Sequence, residues 1–268
     1  MNHPQYVHGY SSKESKRLQN QAQTLTDLLH HDTIYPADSR VLEVGCGVGA
    51  QTVILAENNP QAQILSLDVS SESVAAAKAR VEEAGYLNVS FLHGDLFSLP
   101  FEDETFDHIF VCFVLEHLVH PRKALERLKC ILKTGGSLTV IEGDHGSAYF
   151  LPDSAAAKKA IQCLIDLQAQ TGGNALIGRQ LYPLLSSASY RDVHVSPRMV
   201  YADESLPEMV DGFTRKTFNA MIEGVKERAI NAKMISENEW EEGIRGLYRT
   251  SEKDGVFCYT FFKAVGIK

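Results

Sequence analysis

Residues 41–52 read VLEVGCGVGAQT. Four mostly apolar, β-forming residues lead into three glycines at alternate positions, and a helix-compatible run follows. This order predicts a buried strand, a tight turn and the N-terminus of a helix. Glycine lets backbone N–H groups approach a ligand closely, and a helix N-terminus favours negative charge. The turn is therefore predicted to hold a small anionic or carboxylate-bearing cofactor.

The glycine pattern alone leaves more than one interpretation open. Gly45, Gly47 and Ala50 satisfy the dinucleotide fingerprint G-x-G-x-x-G/A. Asp68 follows roughly 20 residues later, where a ribose-binding acid is expected. An NAD(P)-dependent oxidoreductase is therefore one interpretation. A turn that needs glycine only for its geometry is another, since short motifs give false positives.

The position of an acid favours a different cofactor. Glu43 stands two residues before Gly45, and Gly49 completes the pattern Glu-x-Gly-x-Gly-x-Gly. This pattern resembles motif I of the class I S-adenosylmethionine-dependent methyltransferases. Three later segments resemble pieces of the same family in the same order, namely 94–96 (GDL), 106–118 (FDHIFVCFVLEHL) and 132–136 (LKTGG). The region 38–145 is thus similar to the cofactor-binding core of that superfamily.

The resemblance implies S-adenosyl-L-methionine as the cofactor and S-adenosyl-L-homocysteine as the product. Asp68, at the end of the predicted second strand, would accept hydrogen bonds from both ribose hydroxyls. Asp95 would hold the exocyclic amine of adenine, and Leu96 would cover a face of the ring. Cys112 and Phe113 would border the methionine part of the cofactor.

The predicted N-terminal helix supplies further candidates, because helices before the first strand commonly close over the cofactor in this family. Tyr10, Arg17 and Gln21 are the side chains considered there. The complete predicted cofactor set is Tyr10, Gln21, Glu43, Gly45, Cys46, Gly47, Gly49, Asp68, Val69, Gly94, Asp95, Leu96, Cys112 and Phe113.

Alternating strands and helices predict an α/β fold with right-handed crossovers. The resemblance makes this a Rossmann-like, seven-stranded, mostly parallel sheet whose last strand is antiparallel, with helices on both faces. We expect a single domain over 1–268, in which residues 1–37 form an arm and a helix and 38–145 the cofactor core. Residues 146–268 would form the substrate-side half, with a helical insertion at 203–250 between the last two strands and a final strand at 256–265.

The amino-acid composition limits which binding partners and which cellular compartment are expected. The 268 residues include 26 Lys and Arg against 34 Asp and Glu, a net charge of −8. This balance disfavours a nucleic-acid partner, which requires a basic surface. The five cysteines form no Cys-x-x-Cys pair, and no apolar run is long enough to span a bilayer, so a cytoplasmic protein without membrane contact is expected. A monomer or a homodimer fits this reading.

Methyl transfer from a sulfonium requires chiefly that the acceptor be aligned and water excluded, and a nearby base can take the proton. The polar segment 142–147 (EGDHGS) follows the predicted fifth strand, where acceptors bind in this fold. Its catalytic candidates are His145, Glu142 and Asp144, with His145 the preferred base because its ordinary pKa lies near neutrality. Catalysis by positioning alone stays open, as do Glu116 and His117 as bases.

The acceptor itself is expected to be a small, partly apolar molecule. The helical insertion carries Phe213, Phe218 and Met221, which form either ordinary core or the wall of an acceptor pocket. No histidine shows a metal-ligand spacing with carboxylates, so no metal is expected. A third interpretation keeps the fold and the bound cofactor but lacks transfer, and describes a sensor or a partner subunit.

Overall fold

The computed structural model describes residues 12–268, with side chains from residue 14 onwards. Seven strands form one sheet in the order β3-β2-β1-β4-β5-β7-β6. Their bounds are Arg40–Val44 (β1), Gln63–Asp68 (β2), Val89–His93 (β3), Phe106–Cys112 (β4), Leu132–Leu151 (β5), Arg191–Ala202 (β6) and Val256–Ile267 (β7). β1 to β5 pair in parallel, whereas β7 runs antiparallel to both β5 and β6. The predicted fold is confirmed.

Helices follow the strands in the expected alternation. They are Ser12–His30 (α1), Ala50–Asn58 (α2), Ser71–Glu83 (α3), Pro121–Ile131 (α4), Ala155–Gln170 (α5), Leu181–Ser187 (α6), Pro207–Met209 (α7), Ala220–Glu223 (α8), Lys226–Asn231 (α9) and Glu237–Arg249 (α10). Short 3-10 turns occupy Leu96–Ser98, Leu115–His117 and Ile177–Gln180, and a π-helical segment spans Val210–Asn219. Within residues 12–268, no helix combines the length and the apolarity that crossing a bilayer requires.

The core has two apolar layers, one on each face of the sheet. Successive side chains of a strand point to opposite faces, so Val41 and Leu42 enter different layers. Val41 packs in the layer that includes Leu25 of α1, and Leu42 in the layer that includes Leu128 of α4. Because both faces are covered, β1 is almost wholly buried, as its apolar sequence predicts.

The fifth strand is the main departure from the sequence-based expectation. The apolar pattern predicts a strand over 137–141 and a polar loop over 142–147, but β5 continues to Leu151. The continuation pairs with β7, placing Glu142 opposite Phe262 and Asp144 opposite Thr260, and the register shifts before Tyr149. A partner strand more than 100 residues away therefore holds this polar segment extended. A helical insertion between the last two strands is confirmed, although its π-helical segment has no sequence signal.

Candidate active site

A cavity of about 420 Å³ lies at the carboxyl ends of the central strands. The strand order reverses between β1 and β4, and ligands of doubly wound sheets bind at such a switch point. One half of the cavity is bordered by the glycine turn after β1 and by the ends of β2 and β3, and we call it the cofactor half. The other, the acceptor half, is bordered by α1, the turn after β4, β5, β7 and the π-helical segment.

The glycine turn is open toward the cavity. The backbone N–H groups of Gly45 and Cys46 donate to the carbonyl of Leu67, at 2.7 and 3.0 Å, which ties the turn to β2. Gly47 has a φ of 51°, in the left-handed region that suits glycine. A Cβ at Gly47 would meet no atom of the described residues within 4 Å, so it would project into the cavity. The turn therefore offers a cradle that a close-lying cofactor would fill.

Asp68 stands at the edge of this cradle. Its Oδ2 accepts a hydrogen bond from the Gly47 N–H at 2.8 Å, and its Oδ1 accepts one from the Ser70 N–H at 2.9 Å. An ionised carboxylate offers about four lone-pair sites, so each oxygen keeps capacity for another donor. The orientation of Asp68 is therefore fixed by the backbone while it remains able to receive two hydroxyl groups.

The remaining adenine-side and methionine-side candidates also border the cavity. Asp95 accepts a hydrogen bond from the Phe97 N–H at 2.9 Å and so caps the 3-10 turn that carries Leu96. Phe113 adopts a φ of 58°, a strained conformation for an aromatic residue that turns the chain at the end of β4. The predicted cofactor residues that line the cavity are Gln21, Gly45, Cys46, Gly47, Asp68, Val69, Gly94, Asp95, Leu96, Cys112 and Phe113.

Three predicted cofactor residues are not among the lining residues. Glu43 is 2% exposed and accepts a hydrogen bond from the Ser66 hydroxyl at 2.6 Å, below the turn. Burial raises the pKa of Glu43 to about 7. Gly49 precedes α2, and a Cβ there would lie 2.8 Å from the Cα of Ala77. Glu43 and Gly49 therefore support the turn on the side away from the cavity. The third residue, Tyr10, lies outside the described residues.

Of the three catalytic candidates, His145 lines the cavity and the other two do not. Glu142 accepts hydrogen bonds from the backbone N–H groups of Val114 and Leu115, at 3.0 and 2.6 Å. Asp144 forms a bidentate ion pair with Arg179, at 2.6 and 2.8 Å. The expectation that these carboxylates face the acceptor is corrected by the extension of β5, because alternate residues of a strand point to opposite faces.

His145 contacts residues from two other strands or turns. Its Nδ1 lies 2.6 Å from the Tyr259 hydroxyl, and its Nε2 lies 3.9 Å from Oε2 of Glu116. Its ring meets Phe218 edge-on, with 6.4 Å between ring centroids. Burial lowers the pKa of His145, so its imidazole is neutral near pH 7. Burial also raises the pKa of Tyr259 well above its usual value, so the phenol keeps its proton.

Glu116, in the turn after β4, is the carboxylate nearest to this histidine in the acceptor half. Its Oε2 accepts a hydrogen bond from the side-chain amide of Gln168 at 3.0 Å, and its Oε1 lies 3.6 Å from Nε2 of His117. Burial opposes ionisation, but the two neighbouring imidazoles in their protonated form, the Gln168 donor and the Arg17 guanidinium outweigh it and hold the pKa of Glu116 below its ordinary value. Glu116 is therefore ionised near pH 7 although its side chain is buried.

α1 closes the acceptor half with a second polar group. Arg17 bonds both carboxylate oxygens of Glu14, at 2.6 and 2.8 Å, and donates to the side-chain oxygen of Gln21 at 2.9 Å. All three side chains line the cavity and are buried. The sequence indicated Arg17 and Gln21 through their helix, but nothing in the pattern distinguished Glu14.

An aromatic wall completes the acceptor half. Phe213, Phe218 and Met221 of the helical insertion line the cavity, as do Tyr259 and Phe261 of β7. The period-2 alternation of β7 could have placed Tyr259 and Phe261 on one face, but only the pairing with β5 shows that this face meets the cavity. Within residues 12–268, no group of three or more His, Cys, Asp or Glu side chains is arranged to hold a metal ion.

Comparisons with known proteins agree with this geometry. Residues 42–140 match a family described as a methyltransferase domain. An uncharacterised methyltransferase from Schizosaccharomyces pombe is 28% identical over 235 residues, which cover 82% of this chain and 84% of that protein. A demethylmenaquinone methyltransferase from Clavibacter sepedonicus is 34% identical over 106 residues, which cover 40% of this chain and 42% of that enzyme.

A solved structure shares the fold. Phosphoethanolamine N-methyltransferase 2 from Haemonchus contortus, in complex with phosphomonomethylethanolamine and S-adenosylhomocysteine, matches with a TM-score of 0.57 and 18% identity. The match covers 93% of this chain and 52% of that one. The chain spans about half the length, or less, of several curated relatives that it matches. Residues 42–140 therefore form a methyltransferase domain by family match, and the strand order and the glycine cradle agree with that assignment.

Proposed function

We propose that this chain is an S-adenosylmethionine-dependent methyltransferase that acts on a small, partly apolar molecule bound in the acceptor half of the cavity. The observation that carries the proposal is the enclosure of that half by buried side chains. Phe213, Phe218 and Tyr259 are each 1% exposed, yet all three line the cavity. An apolar pocket with a few placed polar groups is typical of a small-molecule site.

The residues of the cofactor half would hold S-adenosyl-L-methionine. Asp68 would accept the ribose hydroxyls, and the Gly47 turn would admit the cofactor close to the backbone. The cofactor supplies a methyl group bonded to a sulfonium sulfur, and this sulfur becomes a neutral thioether when the methyl group leaves it. The chain's own contribution is then to align the acceptor and to exclude water, which supplies a large part of the rate acceleration in such displacements.

The names of two similar proteins and the net charge of this chain support a small acceptor. The Clavibacter relative is named for demethylmenaquinone, and the Haemonchus structure contains phosphomonomethylethanolamine. The net charge of −8 gives no general attraction for a nucleic-acid backbone. These observations favour the methylation of a metabolite over that of a protein or an RNA.

The test is methyl transfer from radiolabelled S-adenosyl-L-methionine into a cell extract that has been separated into small molecules, proteins and nucleic acids. We expect label in the small-molecule fraction, and no label there with Gly47→Val, whose side chain would fill the cradle. Label that appears in the protein or nucleic-acid fraction would contradict the proposal. Binding of the cofactor without transfer to any fraction would indicate a sensor or a partner subunit instead.

A further inference from the structure

We propose that the methyl acceptor is a hydroxyl group held between His145 and Glu116, and that Tyr259 is the positioning residue that makes His145 a hydrogen-bond donor rather than the base. Glu116 then takes the proton of the acceptor. This inference rests on the proposed small-molecule function and adds the class of atom that is methylated.

The first step concerns the tautomer of His145. The Tyr259 hydroxyl and Nδ1 of His145 are 2.6 Å apart, so one of them donates a proton to the other. Among the hydrogen bonds of residues 12–268, the Tyr259 O–H finds no other acceptor. The phenol therefore donates to Nδ1. A neutral imidazole carries a single N–H, so Nε2 of His145 bears the proton and presents it to the cavity.

The second step concerns what fits between His145 and Glu116. Nε2 of His145 and Oε2 of Glu116 are 3.9 Å apart, too far for a direct hydrogen bond. A hydroxyl oxygen placed about 2.8 Å from each atom would bridge them with ordinary hydrogen-bond lengths. The bridging group must accept a hydrogen bond from Nε2–H and donate one to the carboxylate.

That pair of requirements selects among acceptor chemistries. An alcohol or a phenol accepts and donates through the same oxygen. An amine must be neutral to react, and its single lone pair is then directed at the methyl carbon, so it would leave the Nε2–H of His145 without an acceptor. A carboxylate or an ether accepts only, so it would face the Glu116 carboxylate with no proton to share. The aromatic wall of Phe213, Phe218 and Phe261 favours an apolar body behind the hydroxyl.

The third step is the balance of the reaction. The acceptor oxygen forms a bond to the methyl carbon with one of its lone pairs, while the electrons of the carbon–sulfur bond remain on sulfur. The proton of the acceptor O–H passes to Oε2 of Glu116, which becomes a neutral carboxylic acid. The sulfonium thus becomes a neutral thioether and the Glu116 carboxylate a neutral acid. Glu116 later returns the proton to solvent.

Glu116 is placed to receive this proton. Its Oε2 already accepts from Gln168, which fixes the direction of its second lone pair. The other titratable and charged groups around it are Arg17 of α1, His117 of the same turn, Glu142 of β5 and Tyr259 of β7. Burial and the Glu116 charge raise the pKa of Glu142 well above its usual value. With His145 fixed as a donor, Glu116 is the carboxylate of this half that approaches the bridged position.

The tautomer is tested without any substrate, by nitrogen NMR of the full chain labelled with 15N-histidine. The His145 signals are assigned by their loss in His145→Gln. We expect neutral His145 protonated at Nε2 in the wild type, and a mixture of both tautomers in Tyr259→Phe. Tyr190→Phe is the matched control, because Tyr190 is also buried and its hydroxyl bonds the Leu125 carbonyl elsewhere. A wild-type signal protonated at Nδ1, or at both nitrogens, would overturn the inference.

The acceptor class is tested with fragments and with products. In protein saturated with S-adenosyl-L-homocysteine, phenol should shift the Nε2–H signal of His145, whereas anisole and benzylammonium should not; a larger shift with benzylammonium would contradict the inference. Labelled products should be methyl ethers, and Glu116→Gln should lower kcat by about 10²–10⁴-fold with little change in KM. N-methylated products, or full turnover in Glu116→Gln, would refute it while leaving the small-molecule function intact.

Discussion

Asp68 serves both the fold and the candidate cofactor site. Its two oxygens hold the backbone of the glycine turn and of the start of α3, and the same carboxylate borders the cavity. The sequence predicted its position from the end of β2, and the structure adds the two backbone bonds that orient it.

We expect Asp68→Ala to weaken S-adenosyl-L-homocysteine binding by about 1.5–3 kcal/mol, because hydrogen bonds to a charged group are lost. Isothermal titration measures this as a fall in affinity of roughly 10- to 150-fold. Asp103→Ala, an exposed position in the loop before β4, is the control and should bind as the wild type does. Equal affinities for Asp68→Ala and the wild type would remove Asp68 from the cofactor site.

Glu43 gives a prediction on pH. Its unfolded carboxyl ionises near pH 4.5, but burial raises the folded pKa to about 7, so the folded state keeps the proton across that interval. The free energy of unfolding should therefore fall as pH rises from 4.5 through 7, by about 3 kcal/mol in all. Glu43→Gln retains the bond to Ser66 and should lack this component.

Urea unfolding at a series of pH values measures the difference between Glu43→Gln and the wild type. We expect the variant to gain stability relative to the wild type as pH rises, whereas Glu57→Gln, at an exposed position of α2, should run parallel to the wild type. Parallel curves for Glu43→Gln would mean that the carboxyl titrates alike in the folded and unfolded states.

At the scale of elements, the glycine turn also sets how α2 and α3 meet. Gly49 has a φ of 78°, and a Cβ there would lie 2.8 Å from the Cα of Ala77 in α3. Gly85, which follows α3, has a φ of 80° but open space around the same Cβ position. Substitutions at Gly85 and Gly49 therefore distinguish the free-energy cost of a left-handed backbone conformation from the cost of a steric clash.

Gly85→Ala should lose about 1–2 kcal/mol of stability, the cost of a left-handed conformation for alanine. Gly49→Ala should lose a further 1–3 kcal/mol or so, because the added methyl group forces the two helices apart. Urea denaturation gives both values. If the two variants were equally stable, the close approach of α2 and α3 at Gly49 would not contribute to the free energy of unfolding.

The elements also show what local sequence can predict. The positions of β1 and of the glycine turn followed from apolar residues and turn chemistry that lie within a few residues of each other. The extension of β5 and the His145–Tyr259 contact did not, because each depends on a partner more than 100 residues away. The cofactor half was therefore largely predictable from one continuous motif region, whereas the acceptor half is assembled from α1, β5, β7 and the insertion.

At the scale of the whole molecule, a buried charge ties the first helix to the last strands. Lys263 of β7 is 3% exposed, and its ammonium lies 2.5 Å from Asp32 and 2.7 Å from the Thr33 hydroxyl, just beyond the end of α1. Arg198 of β6 pairs with the same Asp32. α1 also lines the acceptor half, so this cluster fixes the wall of the site to the far edge of the sheet.

Asp32→Asn should destabilise the protein by about 2 kcal/mol, less than the 3–5 typical of fully buried pairs because Asp32 is 42% exposed at its side chain. Adding Lys263→Met should restore part of that loss, since the unpaired ammonium is removed. Asp211→Asn, in the half-exposed pair with Lys216, is the control and should cost under about 1 kcal/mol. A double variant less stable than Asp32→Asn would contradict this view of the cluster.

The most direct measurement is a crystal structure of the full chain with S-adenosyl-L-homocysteine. We predict the ribose hydroxyls on the Asp68 carboxylate, the adenine beside Asp95 and Leu96, and the sulfur facing His145 and Glu116 across the cavity. A nucleoside bound elsewhere, or a cradle at Gly47 closed by protein side chains in the complex, would contradict the assignment of this cavity as the site of methyl transfer.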